Sequence, residues 1–305
     1  MPGLKFLICY PPLTCYISLM WRTLGFDREK EFFERAMKNG DVKHAYLFTG
    51  QDMIGKRTFA LELVDKLVGA GTKNEATSQF DILFIDSSSS ESGQTITIDA
   101  VKEIKNRLSM TAYSGGYKCC IINDAHRMTD EAQNALLKIL EEPNEKVVIF
   151  LVASKPDLLK PTIKSRCEEI YFAPHGRKIL DKLLSGEKLS ENQKEFVAEF
   201  CGGRVGLLKN IIEKSSYKEI KTAIEELSRL EKADIGERFL EALKMLGEGD
   251  EKLLEKLLYW MLYLRSKMDN KKYAGVLERL QDLYVAISKP STNKRFALEN
   301  FLLHL

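Results

Sequence analysis

Four apolar runs that alternate with amphipathic stretches constrain the fold of this chain more than any other feature. The runs span residues 45–49, 82–86, 118–122 and 147–152, and a weaker fifth run spans 169–172. Near-continuous hydrophobicity is typical of strands that are buried on both faces, as in a parallel sheet. Helical patterns lie between the runs, over residues 57–68, 98–108 and 130–142. Because strands that alternate with helices form βαβ units, we expect an open α/β sheet.

The third of these helices has recognisable ends. Thr129 can cap its first turn, and Asp130 and Glu131 suit the positive end of the helix dipole. Pro143 cannot continue a helix and is expected to stop it.

Strand patterns end at Pro174, and the sequence that follows is helical. Two or three short helices are predicted before residue 215, and amphipathic helices follow. A chain of 305 residues is long enough for two or three cores. We therefore predict an α/β domain at 1–173, a small helical domain at 174–215, and a second helical domain at 216–305.

Net charge and cysteine spacing argue against a strongly basic nucleic-acid-binding protein and against a zinc or redox motif. A formal net charge of +2 gives no global basic field, so contact with nucleic acid would depend on local patches. The six cysteines form no C-x-x-C pair, which predicts reduced thiols in a cytoplasmic protein and no metal site.

The apolar N-terminal stretch, residues 1–19, is a poor secretory signal. Pro11 and Pro12 interrupt it, and no small-residue cleavage site follows. It is also too short to span a bilayer, so no membrane association is expected. A poorly ordered extension, or a start assigned too far upstream of Met20, fits the sequence better.

Residues 50–56 match the first half of the phosphate-loop pattern, G-x-x-x-x-G-K, between a predicted strand and a predicted helix. In such a loop the backbone N–H groups surround the phosphates, the lysine reaches the β- and γ-phosphates, and a following Ser or Thr holds Mg²⁺. Gly50, Gly55 and Lys56 fit the pattern, but Arg57 stands where the hydroxyl is needed. An arginine offers no oxygen to a metal ion and adds a positive charge.

Neighbouring residues also depart from a working loop. Asp52 places a negative charge inside an anion site, and Met53 and Ile54 add bulk where the backbone should approach a phosphate. Thr58 lies one helical step beyond the hydroxyl position, about 100° around the helix. Two interpretations stay open: a structural remnant of a nucleotide loop, or a loop that still binds nucleotide weakly.

The second half of an ATPase site would be a pair of acidic residues at the end of a later strand. The residues that follow the run at 118–122 are Asn123 and Asp124. Asn123 is neutral where a metal-binding carboxylate is expected. Two separate motifs therefore lack their metal ligands. The loss of a single activity, magnesium-dependent ATP hydrolysis, explains both changes more simply than two unrelated substitutions do.

Four phrases of the sequence together resemble the AAA+ clamp-loader proteins of bacterial DNA polymerase III, over about residues 28–215. The phrases are "HAYLFTG…GKR", "IINDAHRMTDEAQNALLKILEEP", "VVIFLVASKPDLLKPTIKSRC" and "CGGRVGLLKNI".

Within this family the chain is closer to the delta-prime type than to the gamma/tau motor type. The motor type carries Thr after the loop lysine, where this chain has Arg57. It carries zinc-binding cysteines before the second strand, where residues 68–80 contain none. It also has a sensor arginine three residues after a glycine of the lid. In this chain that position is Val205, counted from Gly202, or Gly206, counted from Gly203, so Arg204 is out of register.

The resemblance implies that residues 1–173 are a nucleotide-binding-like AAA+ domain, that 174–215 are its lid, and that 216–305 are a helical collar that mediates oligomerisation. It further implies a ring with gamma/tau and delta subunits that loads a sliding clamp onto primed DNA. In such a ring the delta-prime type is a rigid stator, and ATP and Mg²⁺ are bound by neighbouring subunits, so no cofactor is expected in this chain.

Arg166 is the residue that this resemblance singles out, within the motif Ser165-Arg166-Cys167. We expect it to act in trans, as an arginine finger on ATP that a neighbour binds, rather than as a solvated arginine at a helix end. Cys167 is expected to be a small buried residue. Ser154 stands where the family places a polar sensor.

Two other functions are kept open. An active clamp-loader ATPase could use a divergent site with Arg57 and Asp124, and ATP turnover by the purified chain would reveal it. A nucleotide-using metabolic enzyme on a doubly wound fold is the third interpretation. It lacks a candidate base or nucleophile near the loop, and the long helical C-terminal part suits assembly better.

Overall fold

The computed structural model describes residues 21–69, 81–87, 95–110, 112, 116–267, 271–288 and 292–305. Our expectation for residues 1–19 lies outside these ranges. Contacts divide the chain into two compact units, residues 1–175 and residues 176–305.

Within the described ranges, the first unit contains a sheet and helices that precede or connect its strands. The strands are β1 (Ala45–Thr49), β2 (Ile82–Ile85), β3 (Lys118–Ile122), β4 (Val147–Val152) and β5 (Glu168–Tyr171). The helices are α1 (Asp27–Asn39), α2 (Lys56–Gly69), α3 (Ile98–Leu108), α4 (Asp130–Glu141) and α5 (Pro161–Lys164). Short 3-10 turns occupy Ala125–Arg127 and Pro156–Leu158.

The sheet is parallel throughout, with strand order β2-β3-β4-β1-β5. The α/β fold with a parallel sheet is thereby confirmed, and the predicted strands and helices agree with the structure to within one residue at each end. Thr129 caps α4 as predicted, since its Oγ1 accepts a hydrogen bond from the Ala132 N–H at 3.2 Å. The helix ends at Glu141 because Pro143 disfavours helical backbone at Glu142.

Side chains of the central strands alternate between two apolar layers, as the period of a strand requires. Tyr46 and Phe48 of β1 pack with Phe150 of β4 in an aromatic layer below α1 and α2. Ala45 and Leu47 point to the opposite layer, which α3, α4 and α5 cover. Every residue of β1, β3 and β4 is buried.

A strap formed by residues 21–26 fastens the start of the described chain to α2. The Trp21 ring stacks on Phe59 with centroids 4.9 Å apart. The Glu62 carboxylate accepts hydrogen bonds from the backbone N–H of Arg22 and, at 2.9 Å, of Thr23. The strap therefore holds α2, the helix that follows the phosphate-like loop, from its outer side.

The second unit is helical in all its described parts. Its helices are α6 (Arg177–Leu184), α7 (Glu191–Cys201), α8 (Val205–Lys214), α9 (Tyr217–Leu230), α10 (Ile235–Gly247), α11 (Asp250–Ser266), α12 (Lys271–Ile287) and α13 (Lys294–Leu303). Three of them fall within 174–215, in line with the two or three that were predicted. Among the described residues, no helix combines the length and low charge needed to cross a bilayer.

One apolar cluster runs through the whole second unit. Ile211 of α8 and Ile220 of α9 both belong to it, although the predicted boundary between the two helical domains lies between them. The fully buried Trp260 donates its indole N–H to the Ala223 carbonyl at 2.6 Å. A division into a lid and a collar stays a prediction, because the core does not separate at residue 216.

Asp65 on α2 gives a pH-dependent test of how α2 is packed. Burial raises its pKa from 3.8 to about 6, which the Arg22 charge opposes and the Glu62 charge reinforces. The folded state therefore holds this proton more tightly than the unfolded chain does. The stability that Asp65 contributes is present below about pH 4 and is lost as pH rises through about 6.

We expect Asp65→Asn to raise the melting temperature at pH 7, and the gain to shrink as pH falls toward 4. A shift of this size, discounted for partial solvent exposure, corresponds to about 1 kcal/mol, or a few degrees. Thermal unfolding at several pH values measures it. The exposed Asp282→Asn is the control; a gain that does not depend on pH would contradict the assignment.

Candidate functional site

The phosphate-like loop connects β1 to α2 at the carboxyl end of the sheet. Gly50 begins it with φ +129°, and a β-carbon there would lie 2.3 Å from the Phe172 carbonyl oxygen, so only glycine fits. Ile54 is buried in the aromatic layer, and its carbonyl lies 3.0 Å from Nε2 of His175. The prediction that Ile54 adds bulk to the anion site is therefore wrong, because its side chain turns into the core. The Met53 side chain, in contrast, is exposed.

Lys56 is the first residue of α2, is only 5% exposed, and turns its side chain back into this loop. Its Nζ donates hydrogen bonds to the carbonyl oxygens of Gly50, at 2.7 Å, and Gln51, at 2.5 Å. Burial lowers the pKa of this ammonium, and the Asp52 and Asp124 carboxylates partly offset the effect. The lysine that would reach a phosphate is thus bound to the loop's own backbone.

Arg57 points across the loop to the end of β2. Its Nη1 lies 3.5 Å from Oδ2 of Asp86, and its guanidinium lies 4.7 Å from the centroid of the Phe84 ring. Sequence reasoning did not assign Asp86 a role. Its position at the end of a predicted strand was the available signal, since the carboxyl ends of parallel strands meet at one edge.

Asn123 and Asp124 follow β3 at the same edge of the sheet. The Asn123 side-chain amide donates to Oδ2 of Asp124 at 3.3 Å, so it acts as a hydrogen-bond donor to that carboxylate. Burial raises the pKa of Asp124; His126 and Arg127 oppose this rise, and the Asp86 and Asp52 carboxylates add to it.

Ser154 follows β4, and its Oγ lies 3.4 Å from Nε2 of His126 in the 3-10 turn after β3. Burial lowers the pKa of His126, which favours the neutral imidazole. β3 and β4 are neighbours in the sheet, and this contact joins the segments that follow them.

The carboxylates near the loop have no metal-binding arrangement. Across the described residues, no three His, Cys, Asp or Glu side chains come together as a set that could hold a metal ion. Arg57 supplies a cation, and the Asn123 amide is directed at Asp124. Positions 57 and 123 therefore do not supply the hydroxyl and the carboxylate that a magnesium–nucleotide site of this type uses.

Arg166 lies away from the loop, just after α5. Its Nη2 is 2.8 Å from Oε1 of Glu141 at the end of α4, and its Nη1 donates to the Thr162 carbonyl at 3.0 Å. Ser165 Oγ also donates to Thr162 O, at 3.1 Å. The arginine side chain remains 36% exposed. Glu141 belongs to the phrase that the sequence singled out, but no local pattern links it to Arg166.

Cys167 is partly buried and packs against the apolar layer under α4 and α5. Burial raises the pKa of its thiol to about 12, so the thiolate form is disfavoured at neutral pH.

Arg204 is 8% exposed and donates its Nε–H to the Cys201 carbonyl at 2.8 Å. This contact satisfies the last turn of α7.

Residues 27–176, which are 150 of the 305, match the family profile described as "DNA polymerase III, delta subunit". The chain is 41% identical over 93 residues to DNA polymerase III subunit delta' of Escherichia coli K12, covering 30% of this chain and 28% of that protein. It is 35% identical over 137 residues to subunit delta' of Pseudomonas aeruginosa, covering 41% of each. To subunit tau of Bacillus subtilis it is 28% identical over 204 residues, covering 59% of this chain and 34% of tau.

A crystal structure with the same fold comes from a gamma subunit-related protein of Thermotoga maritima. The TM-score is 0.54 at 20% identity, covering 89% of this chain and 97% of that one. Matches to the two delta' relatives span less than half of their lengths. On these matches the chain is delta-prime-like, that is, similar to delta' and tau subunits of DNA polymerase III.

We expect the isolated chain to show no magnesium-dependent binding of a fluorescent ATP analogue at micromolar concentrations. Lys56 is bound to backbone, and Arg57 and Asn123 replace both expected metal ligands. Equilibrium fluorescence titration with and without Mg²⁺ checks this.

The double variant Arg57→Thr/Asn123→Asp is the matched comparison. It restores a hydroxyl and a carboxylate, so it should gain magnesium-dependent affinity over the wild type. Micromolar, magnesium-dependent binding by the wild type would contradict our reading of the loop.

Proposed function

We propose that this delta-prime-like chain is a catalytically silent subunit of a clamp loader, which presents Arg166 to ATP bound by a neighbouring motor subunit. The partners in this proposal are gamma/tau and delta subunits, and the assembly loads a sliding clamp onto primed DNA. Two observations together carry it: Lys56 donates to the backbone of its own phosphate-like loop, and Arg166 is ordered by Glu141 at the protein surface.

The loop supports the silent part of the proposal. A nucleotide would have to replace two hydrogen bonds of Lys56 and would find no metal ligand at position 57. The alternative, an active ATPase with a divergent site, would need Asp124 or Asp86 to hold Mg²⁺ next to the Arg57 charge. ATP turnover by the purified chain, alone and in the reconstituted ring, separates the two functions.

Arg166 supports the trans-acting part. A planar guanidinium with several N–H donors can stabilise the charge that develops during phosphoryl transfer. Arg166 is partly exposed, and its contacts with Glu141 and Thr162 engage only two of its guanidinium N–H groups. Because a guanidinium has five such donors, the others remain for a further acceptor.

An apolar surface on α10 supports assembly through the C-terminal helices. Leu240 is 70% exposed and Leu243 is 46% exposed, and Gly236 and Gly247 continue the same face of the helix. Exposed apolar faces of this kind are typical of interaction sites. We propose that the α10 surface packs against a neighbouring subunit.

Arg166→Ala should lower stimulated ATP hydrolysis and clamp loading by the reconstituted ring while leaving folding and assembly nearly intact. An exposed ion pair contributes little stability, whereas arginine fingers contribute about 10³-fold or more at a single site. The loss should be partial, because only one of several ATP sites is affected. Steady-state ATPase and loading assays measure it.

Arg166→Lys is the informative companion variant. It keeps the charge and loses the planar fork, so it should rescue poorly. A ring with Arg166→Ala that hydrolyses ATP and loads clamps at wild-type rates would make Arg166 an ordinary surface arginine.

Leu240→Asp/Leu243→Asp should weaken entry of this chain into the ring at least tenfold, since buried apolar anchors carry much of an interface's free energy. Light scattering after mixing with gamma/tau and delta proteins measures assembly. Val285→Asp, on α12 and 53% exposed, is the control. Equal assembly by the double variant and the control would remove the α10 surface from the interface.

A further inference from the structure

Helix α4 fixes the backbone that leads to Arg166. Gln133, in its first turns, is 4% exposed, and its amide N–H donates to the Leu158 carbonyl at 3.3 Å. Its Oε1 accepts from the backbone N–H of Lys160 at 2.9 Å. A buried side chain with both ends engaged holds this backbone in one position.

Two further contacts hold α5 against α4. Lys160 Nζ donates to Oδ1 of Asn134 at 2.7 Å. Ile163, at the centre of α5, is fully buried in the apolar layer that α4 also covers. Because rotation of α5 would expose Ile163, the short helix sets the direction in which the Arg166 side chain leaves the backbone.

The far end of α4 then holds the guanidinium itself. Glu141 is the last residue of α4, and its Oε1 lies 2.8 Å from Nη2 of Arg166. The Thr162 carbonyl accepts from Nη1 at 3.0 Å. Two of the four guanidinium Nη–H groups thus have partners from two different helices, which selects one rotamer of a long, flexible side chain.

We propose that Glu141 is a positioning residue, which orients the Arg166 guanidinium for phosphates bound by a neighbouring subunit. This inference rests on the proposed trans role of Arg166. An arginine that is already ordered loses less conformational freedom when it contacts its ligand. ATP hydrolysis in the neighbouring subunit should therefore be faster than with a mobile arginine.

The carboxylate could instead compete with phosphate for the same guanidinium. Its side chain is 49% exposed, so water and salt screen its attraction for Arg166. A triphosphate carries several negative charges and approaches through the donors that Glu141 and Thr162 leave open. Orientation therefore outweighs competition, and removing the carboxylate should lower activity.

Glu141→Ala in the full chain, within the reconstituted ring, tests this proposal. An exposed ion pair couples its partners by about two- to fivefold, so turnover at the affected ATP site should fall by that factor. The ring should then lose about half to four-fifths of the activity that Arg166→Ala removes. KM for ATP, ring assembly and melting temperature should stay unchanged, because alanine is well tolerated at a helix end where a glutamate faces the negative dipole.

Three variants isolate the pair. Glu141→Ala in the Arg166→Ala background should cause no additional loss, since the residue acts only through Arg166. Glu142→Ala is the matched control: Glu142 is the next residue, it is exposed, and it does not contact Arg166 among the described ion pairs. Glu141→Gln, which keeps an acceptor oxygen at the same reach, should retain most of the activity.

The outcomes separate this inference from the function on which it rests. If Arg166→Ala has no effect, the trans role is wrong and Glu141 has nothing to orient. If Arg166→Ala lowers turnover and Glu141→Ala does not, the finger stands and the positioning role is overturned. A gain of activity in Glu141→Ala, or an equal loss in both backgrounds, would also overturn it.

Discussion

Burial of the central strands on both faces is the constraint on which the first unit depends. Every residue of β1, β3 and β4 is buried, so apolar helices must cover each side of the sheet. The strands run parallel, and the segments that follow them therefore meet at one edge. Lys56, Asn123 and Ser154 lie at this edge because of the topology, whether or not chemistry occurs there.

Local pattern was enough to predict the five strands and three of the helices of this unit, but not α1, α5 or the strand order. Apolar runs located β1, β3 and β4 to the residue, and the Thr129 cap and Pro143 set both ends of α4. Each of these features depends on neighbours in sequence, so a single chain contains the information. The strand boundaries that moved by one residue, in β2 and β5, lie where the strand is less completely buried.

The side-chain partners at the site could not be predicted in the same way. Arg57 pairs with Asp86, 29 residues further along the chain, and Arg166 pairs with Glu141, 25 residues before it. The inward turn of Ile54 depends on packing against distant strands. The shared core of the C-terminal helices, with Ile211 beside Ile220 in one cluster, is likewise a property of packing, because amphipathic helices alone do not reveal which faces meet.

The hydrogen bonds of Lys56 have a thermodynamic consequence. A protein that binds a ligand only when folded gains stability in proportion to the logarithm of the ligand concentration. A lysine that already donates to Gly50 and Gln51 obtains its acceptors from the chain, and its bonds form when the loop folds. Such a loop takes its stability from hydrogen bonds within its own backbone. On the function proposed above, the folded fraction of this chain would then not vary with the concentration of ATP.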